Sequence, residues 1–179
     1  MAADPPAILD IRFLVAFDSF SMIALILLPI IILTAFFSSS AKRIPTWFMV
    51  VGSMHIASIA NLLLLGQQKI GPRPNVGLCL FQAMLIYAYP ILASLSGLSF
   101  MLQVYFSIHL ALKSGSKLSK VSQRWLQIIP CAAFVAILVE VLIVGLLDIS
   151  TVRRDPSGVY CNLSQPIPYY LYCHYVPPD

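Results

Sequence analysis

The chain has 179 residues, 59% of them hydrophobic and only 10% charged, with a mean hydropathy of +0.88. A soluble domain carries about 25% charged residues, and a chain this short cannot hide so much apolar side chain in a water-soluble globule. The composition argues against a soluble enzyme or a disordered chain; the net charge of +4 argues no better for nucleic-acid binding, because its basic residues sit in short clusters between apolar runs.

Residues 1–12 read as a tail outside the membrane. Asp4 and Asp10 stand where a cleavable signal peptide would be basic, so the apolar run that follows is expected to stay in place as a first spanning helix. A bilayer core of about 30 Å needs about 20 apolar helical residues. Four runs reach that length: Phe13 to Phe37, Trp47 to Gly66, Leu78 to Leu112 and Trp125 to Leu147. Backbone groups in lipid must be satisfied within their own segment, which predicts an all-α membrane bundle of four transmembrane helices over 13–147, followed by an outer loop or tail over 148–179. The third run is too long to stand upright and is expected to tilt or project, with Pro90 and Gly97 as places to bend. Pro29 and Pro130 are the corresponding positions in the first and fourth runs. Small residues four apart, Ser53 and Ala57, Ala93 and Gly97, Ala132 and Ala136, permit close helix contact.

The loops 38–46 and 113–124 hold Lys42, Arg43, Lys113, Lys117, Lys120 and Arg124 and no acid. Basic residues concentrated in short loops mark the cytoplasmic side, which places the N-terminus outside. Asn162-Leu163-Ser164 is an N-glycosylation acceptor, and it falls on the outer side. So do Cys79, Cys161 and Cys173, where disulfides persist. Cys131 lies within the fourth run and reads as a small buried apolar residue.

A long third helix with a cysteine at its outer end, basic inner loops, and a further cysteine after the fourth helix together resemble the first four helices of a seven-helix G-protein-coupled receptor. The carrying residues are Gly77-Leu78-Cys79 and Val159-Tyr160-Cys161-Asn162. The texture Gln82…Tyr87-Ala88-Tyr89-Pro90 is similar to fungal receptor-like proteins. The resemblance implies a Cys79–Cys161 disulfide, an extracellular ligand, and a heterotrimeric G protein as partner of a full-length form only. Cys173 is the competing partner for Cys79. The chain departs from the rhodopsin-like pattern in having Ser107-Ile108-His109 where an acidic-Arg-aromatic triplet belongs. It also ends before any fifth helix, so a truncated product is the expectation.

Polar groups within the runs are the candidate ligand-binding residues, because ionisable groups in lipid usually face protein or water. Asp18, Asn61, Gln82 and Glu140 fall at one depth near the outer surface, and Tyr87 lies deeper on the third helix. The plainer reading gives these residues interhelical hydrogen bonds and packing. The same choice applies to His55, near mid-membrane, and to Tyr89. The basic loop 113–124 fits anionic lipid headgroups better than a cytosolic partner. Cys173-His174 lacks further ligands, so no metal site is expected. Phosphate loops, metalloprotease motifs, nucleophile elbows and dinucleotide fingerprints are all missing from the sequence, which argues against an enzyme and names no cofactor. The alternative to a receptor is a complete four-helix scaffold or half of a dimeric transporter.

Overall fold

The structure, a computed structural model, describes residues 11–38, 44–66, 75–114, 118–155 and 159–163. Among these residues the elements are α1 (Ile11–Phe37), α2 (Pro45–Leu62), α3 (Val76–Ser114), α4 (Lys120–Leu147), a 3-10 turn (Ile149–Thr151), and the strands β1 (Val152–Arg154) and β2 (Cys161–Leu163). Consecutive helices pack on each other, α1 on α2, α2 on α3 and α3 on α4, and the two strands lie against α3. Short connections make such neighbours antiparallel.

Local chemistry sets the ends of these helices. Pro45 occupies the first turn of α2, where a missing N–H costs no hydrogen bond. Asn75 opens α3, its Oδ1 accepting from the Gly77 N–H at 2.9 Å. Ser119 caps α4 through its side-chain oxygen, which accepts from the Val121 N–H. That cap starts α4 at Lys120, five residues before the expected boundary at Trp125, so basic residues assigned to a loop are helical. At the other end of the chain order, α2 stops at Leu62 and residues 63–66 turn, ending on Gly66 at φ 80. Only glycine adopts that conformation without strain, and the helix was expected to run through it. Pro29, Pro90 and Pro130 lie inside helices that continue past them.

Three helices, α1, α3 and α4, are long and apolar enough to cross a membrane, as in a membrane protein. The 18-residue α2 is less apolar, because it carries Thr46, Ser53, His55, Ser58 and Asn61. Three of these polar side chains, Thr46, Ser53 and Ser58, are buried. Hydroxyls in the helices turn back onto their own carbonyls: Ser53 Oγ donates to Val50 O and Ser58 Oγ to Met54 O.

The core follows α3. Its residues Gln82, Leu85, Leu92, Ser96, Ser99 and Gln103 are buried and alternate in spacing by three, four and seven, the repeat of a helix seam. The row begins and ends on α2. Gln82 Nε2 donates to Ala60 O at 2.9 Å, and Thr46 Oγ1 donates to Gln103 Oε1 at 2.8 Å. On the opposite flank Gly145 of α4 meets α3 closely, since a Cβ there would collide with the Leu80 side chain. By contrast α1 buries little beyond Ser21 and presents its apolar residues outward.

The mostly helical architecture stands, and the segment after α4, expected to be loop or tail, adds a short strand pair to it. Asp148 Oδ1 accepts from Ser150 N and Oγ, tightening the 3-10 turn that reverses the chain. Strands β1 and β2 then pair antiparallel, with Val152 opposite Leu163, Arg153 opposite Asn162 and Arg154 opposite Cys161.

Candidate functional site

The densest cluster of sequence-predicted residues lies where the β pair meets the helices at the Cys79 end of the bundle. Cys79 and Cys161 are joined by a disulfide with their Cα atoms 5.3 Å apart, inside the range such a bridge requires. Both cysteines are buried with Leu64, against Leu78 and Val152. A second apolar cluster joins Val141 and Val144 of α4 to Leu163 of β2, with Met84, Tyr87, Ile137 and Val152 around it. Leu163 and Cys161, two residues apart, thus point the same way from the strand, into the bundle. Cys173, the competing partner, lies outside the described residues.

Gln82 links these parts. Its side chain is 0% exposed. Nε2 donates to the carbonyl of Ala60, near the end of α2 where backbone acceptors lack helical donors. Oε1 accepts the backbone N–H of Cys161 at 3.0 Å. Both ends of the amide are therefore occupied within the protein, and the group reads as a latch between α2, α3 and β2. The hydrogen bond between distant elements was foreseeable in kind; its partners were not.

The other candidates fall at different places. Tyr87 is half-buried in the cluster beneath Leu163. Asn61 is half-buried in the last turn of α2, and Asp18 half-buried on α1. Glu140 is half-buried on α4, immediately before the buried Val141. Of the five, the structure brings Gln82 and Tyr87 to the β pair. His55 Nδ1 is enclosed and makes no hydrogen bond among the described residues. Cys131, expected to be buried, is exposed and free on α4.

Two polar residues of the cover escaped the sequence reading. Tyr160 precedes the disulfide and is pushed above its usual phenol pKa, first by burial, then by the negative charge of Asp155 and by Tyr87. Asp155 also accepts from Asn162 Nδ2 at 3.1 Å, while its backbone N–H donates to Tyr160 O. Asn162 itself is half-buried on the face of β2 opposite to Cys161 and Leu163. No group of three metal-ligating side chains occurs among the described residues. No protein-family model matches the chain, and no curated protein or solved structure matches it.

Proposed function

We propose that the chain is a receptor-type integral membrane protein with four spans, laid out like the first four helices of a seven-helix receptor. The observation that carries this reading is the Cys79–Cys161 disulfide, which fastens the segment after α4 over the beginning of α3. The N-terminus and the β cover face outside, and loops 38–46 and 113–124 face the cytoplasm with their basic residues.

α2 is the fourth span. Its two hydrogen bonds to α3 stand at Gln82 and Gln103, which at about 1.5 Å per residue are about 32 Å apart along α3, close to a bilayer core of about 30 Å. Its polar side chains turn toward protein, which is how an otherwise marginal apolar helix becomes tolerable in lipid. α3 continues past Gln103 for a further 11 residues, by subtraction from Ser114, and so projects on the cytoplasmic side.

In a full-length form the mouth beneath the cover takes an extracellular ligand, with Asp18, Asn61, Tyr87 and Glu140 as its polar and aromatic lining. Gln82 holds the cover instead of contacting ligand. Ligand binding shifts the inner helix ends toward a heterotrimeric G protein by favouring one of two bundle states. The surrounding lipid bilayer is the other partner.

A second reading is favoured by one observation. Glu140 makes no hydrogen bond or ion pair among the described residues although α4 is otherwise apolar from Ile128 to Leu147. Ion-coupled carriers keep such carboxyls in their spans, which fits half of a dimeric transporter, or else a four-helix scaffold. Sequencing transcripts through the 3′ end separates these readings. Three further apolar runs in the longer reading frame support the receptor; a stop after Asp179 in every transcript contradicts it.

A further inference from the structure

We infer that Asn162 accepts an N-linked glycan only while the β cover is open, so that closure of the Cys79–Cys161 bond and attachment of the glycan compete for the same few residues. The inference rests on the outward topology proposed above.

The acceptor triplet Asn162-Leu163-Ser164 begins within β2 itself, where a loop would be the usual setting. Residues on both sides of the acceptor are held. Cys161, immediately before it, is bonded to Cys79 and gives its N–H to Gln82. Leu163, immediately after it, is buried beside Val141 and Val144. Asn162 stands opposite Arg153 in the strand pair, and its own Nδ2 donates to Asp155.

The transfer chemistry asks for the reverse of this. A carboxamide nitrogen is a poor nucleophile because its lone pair is delocalised into the carbonyl. It must twist out of conjugation while the hydroxyl two residues on is gripped beside it, in a chain that curves. A bond then forms from Nδ2 to the anomeric carbon of a lipid-pyrophosphate-linked sugar. The bond from that carbon to the phosphate oxygen breaks, the lipid pyrophosphate leaves, and the Nδ2 proton passes to a base of the transferase. Disulfide closure is a separate two-electron step, in which both thiols lose their protons and a disulfide donor of the secretory lumen is reduced to a dithiol. Once it has occurred, β2 is pinned at the residue next to the acceptor.

A glycan already in place is compatible with the closed cover, because Asn162 lies on the face away from the bundle. The competition therefore concerns order: glycan before closure is allowed, glycan after closure is not.

The test is the glycosylated fraction of the 179-residue chain made in a secretory membrane, read as a glycosidase-sensitive mobility shift. A control acceptor is added in a long polar extension ahead of Met1, well clear of the start of α1 at Ile11, and Asn162→Gln identifies the native site. Cys79→Ser is expected to raise occupancy at Asn162 by about twofold or more, because an unpinned strand opens readily. Reducing agent applied to the wild-type chain during synthesis should have the same effect without any substitution. Equal occupancy with and without the disulfide, at any level, overturns the inference while a glycosylated control leaves the topology standing. A control acceptor that stays unmodified overturns the topology, and the inference with it.

Discussion

Gln82 touches three segments at once, and its removal should be felt in all of them. Gln82→Leu leaves the Ala60 carbonyl and the Cys161 N–H buried without partners. Each such group costs about 1–3 kcal/mol, so a loss of about 2–6 kcal/mol is expected in the unfolding free energy of the protein in bilayer discs. A change below the error of that measurement would show that water replaces the amide and that the latch is unimportant. Tyr160 makes a pH-dependent contribution at the same end. Its phenol is raised in the folded state, so its stabilisation is complete below the ordinary value of about 10 and is lost as pH rises through the folded-state value. Thermal unfolding followed from about pH 9 upward should therefore fall more steeply for the wild type than for Tyr160→Phe. Superposable curves would contradict the burial assigned to this phenol. Neither residue's role was legible in the sequence: a glutamine in an apolar helix announces a hydrogen bond, but its partners come from segments 22 and 79 residues away.

Among the elements, the helices were the most legible because their signal is composition over long runs. What shifted was their ends. Lys120 and Arg124 are charged and read as loop, yet a capped helix can carry charge once it leaves the hydrocarbon, and Ser119 supplies that cap. The strand pair was illegible for another reason. Each strand is three residues long, too short for alternation to register, and it is held by the disulfide and by Gln82 more than by strand propensity. Helix packing offers two tests. Gly145→Val should push α4 from α3, since even a Cβ collides with Leu80 and reaches Val152. Overpacking of this kind costs about 1–3 kcal/mol, and unchanged unfolding would mean that Leu80 simply rotates away. A double-mutant cycle on Thr46→Val and Gln103→Leu should return a coupling of about 0.6 kcal/mol and no more than about 1.7 kcal/mol, the mean and maximum for hydrogen bonds between membrane helices. Zero coupling would show that one of the two hydrogen bonds joining α2 to α3 does not fasten them.

At the scale of the whole molecule, the bundle is asymmetric. The Cys79 end is closed by a covalent bond, two apolar clusters and a buried amide. The other end carries the last turns of α3 and the basic start of α4. The cysteine positions in the sequence marked the Cys79 end as the one that could be bridged, and the structure has the Cys79–Cys161 bond there. The part Gln82 plays there was not legible, because its amide is held by Ala60 and Cys161. The closed end can be examined directly. Protein taken from membranes is alkylated before lysis to block free thiols, digested without reduction, and mapped by mass spectrometry. The expected result is a peptide pair joined through Cys79 and Cys161, with Cys131 alkylated. Recovery of Cys79 alkylated, or joined to Cys173, would contradict the cover and the receptor-type reading built on it.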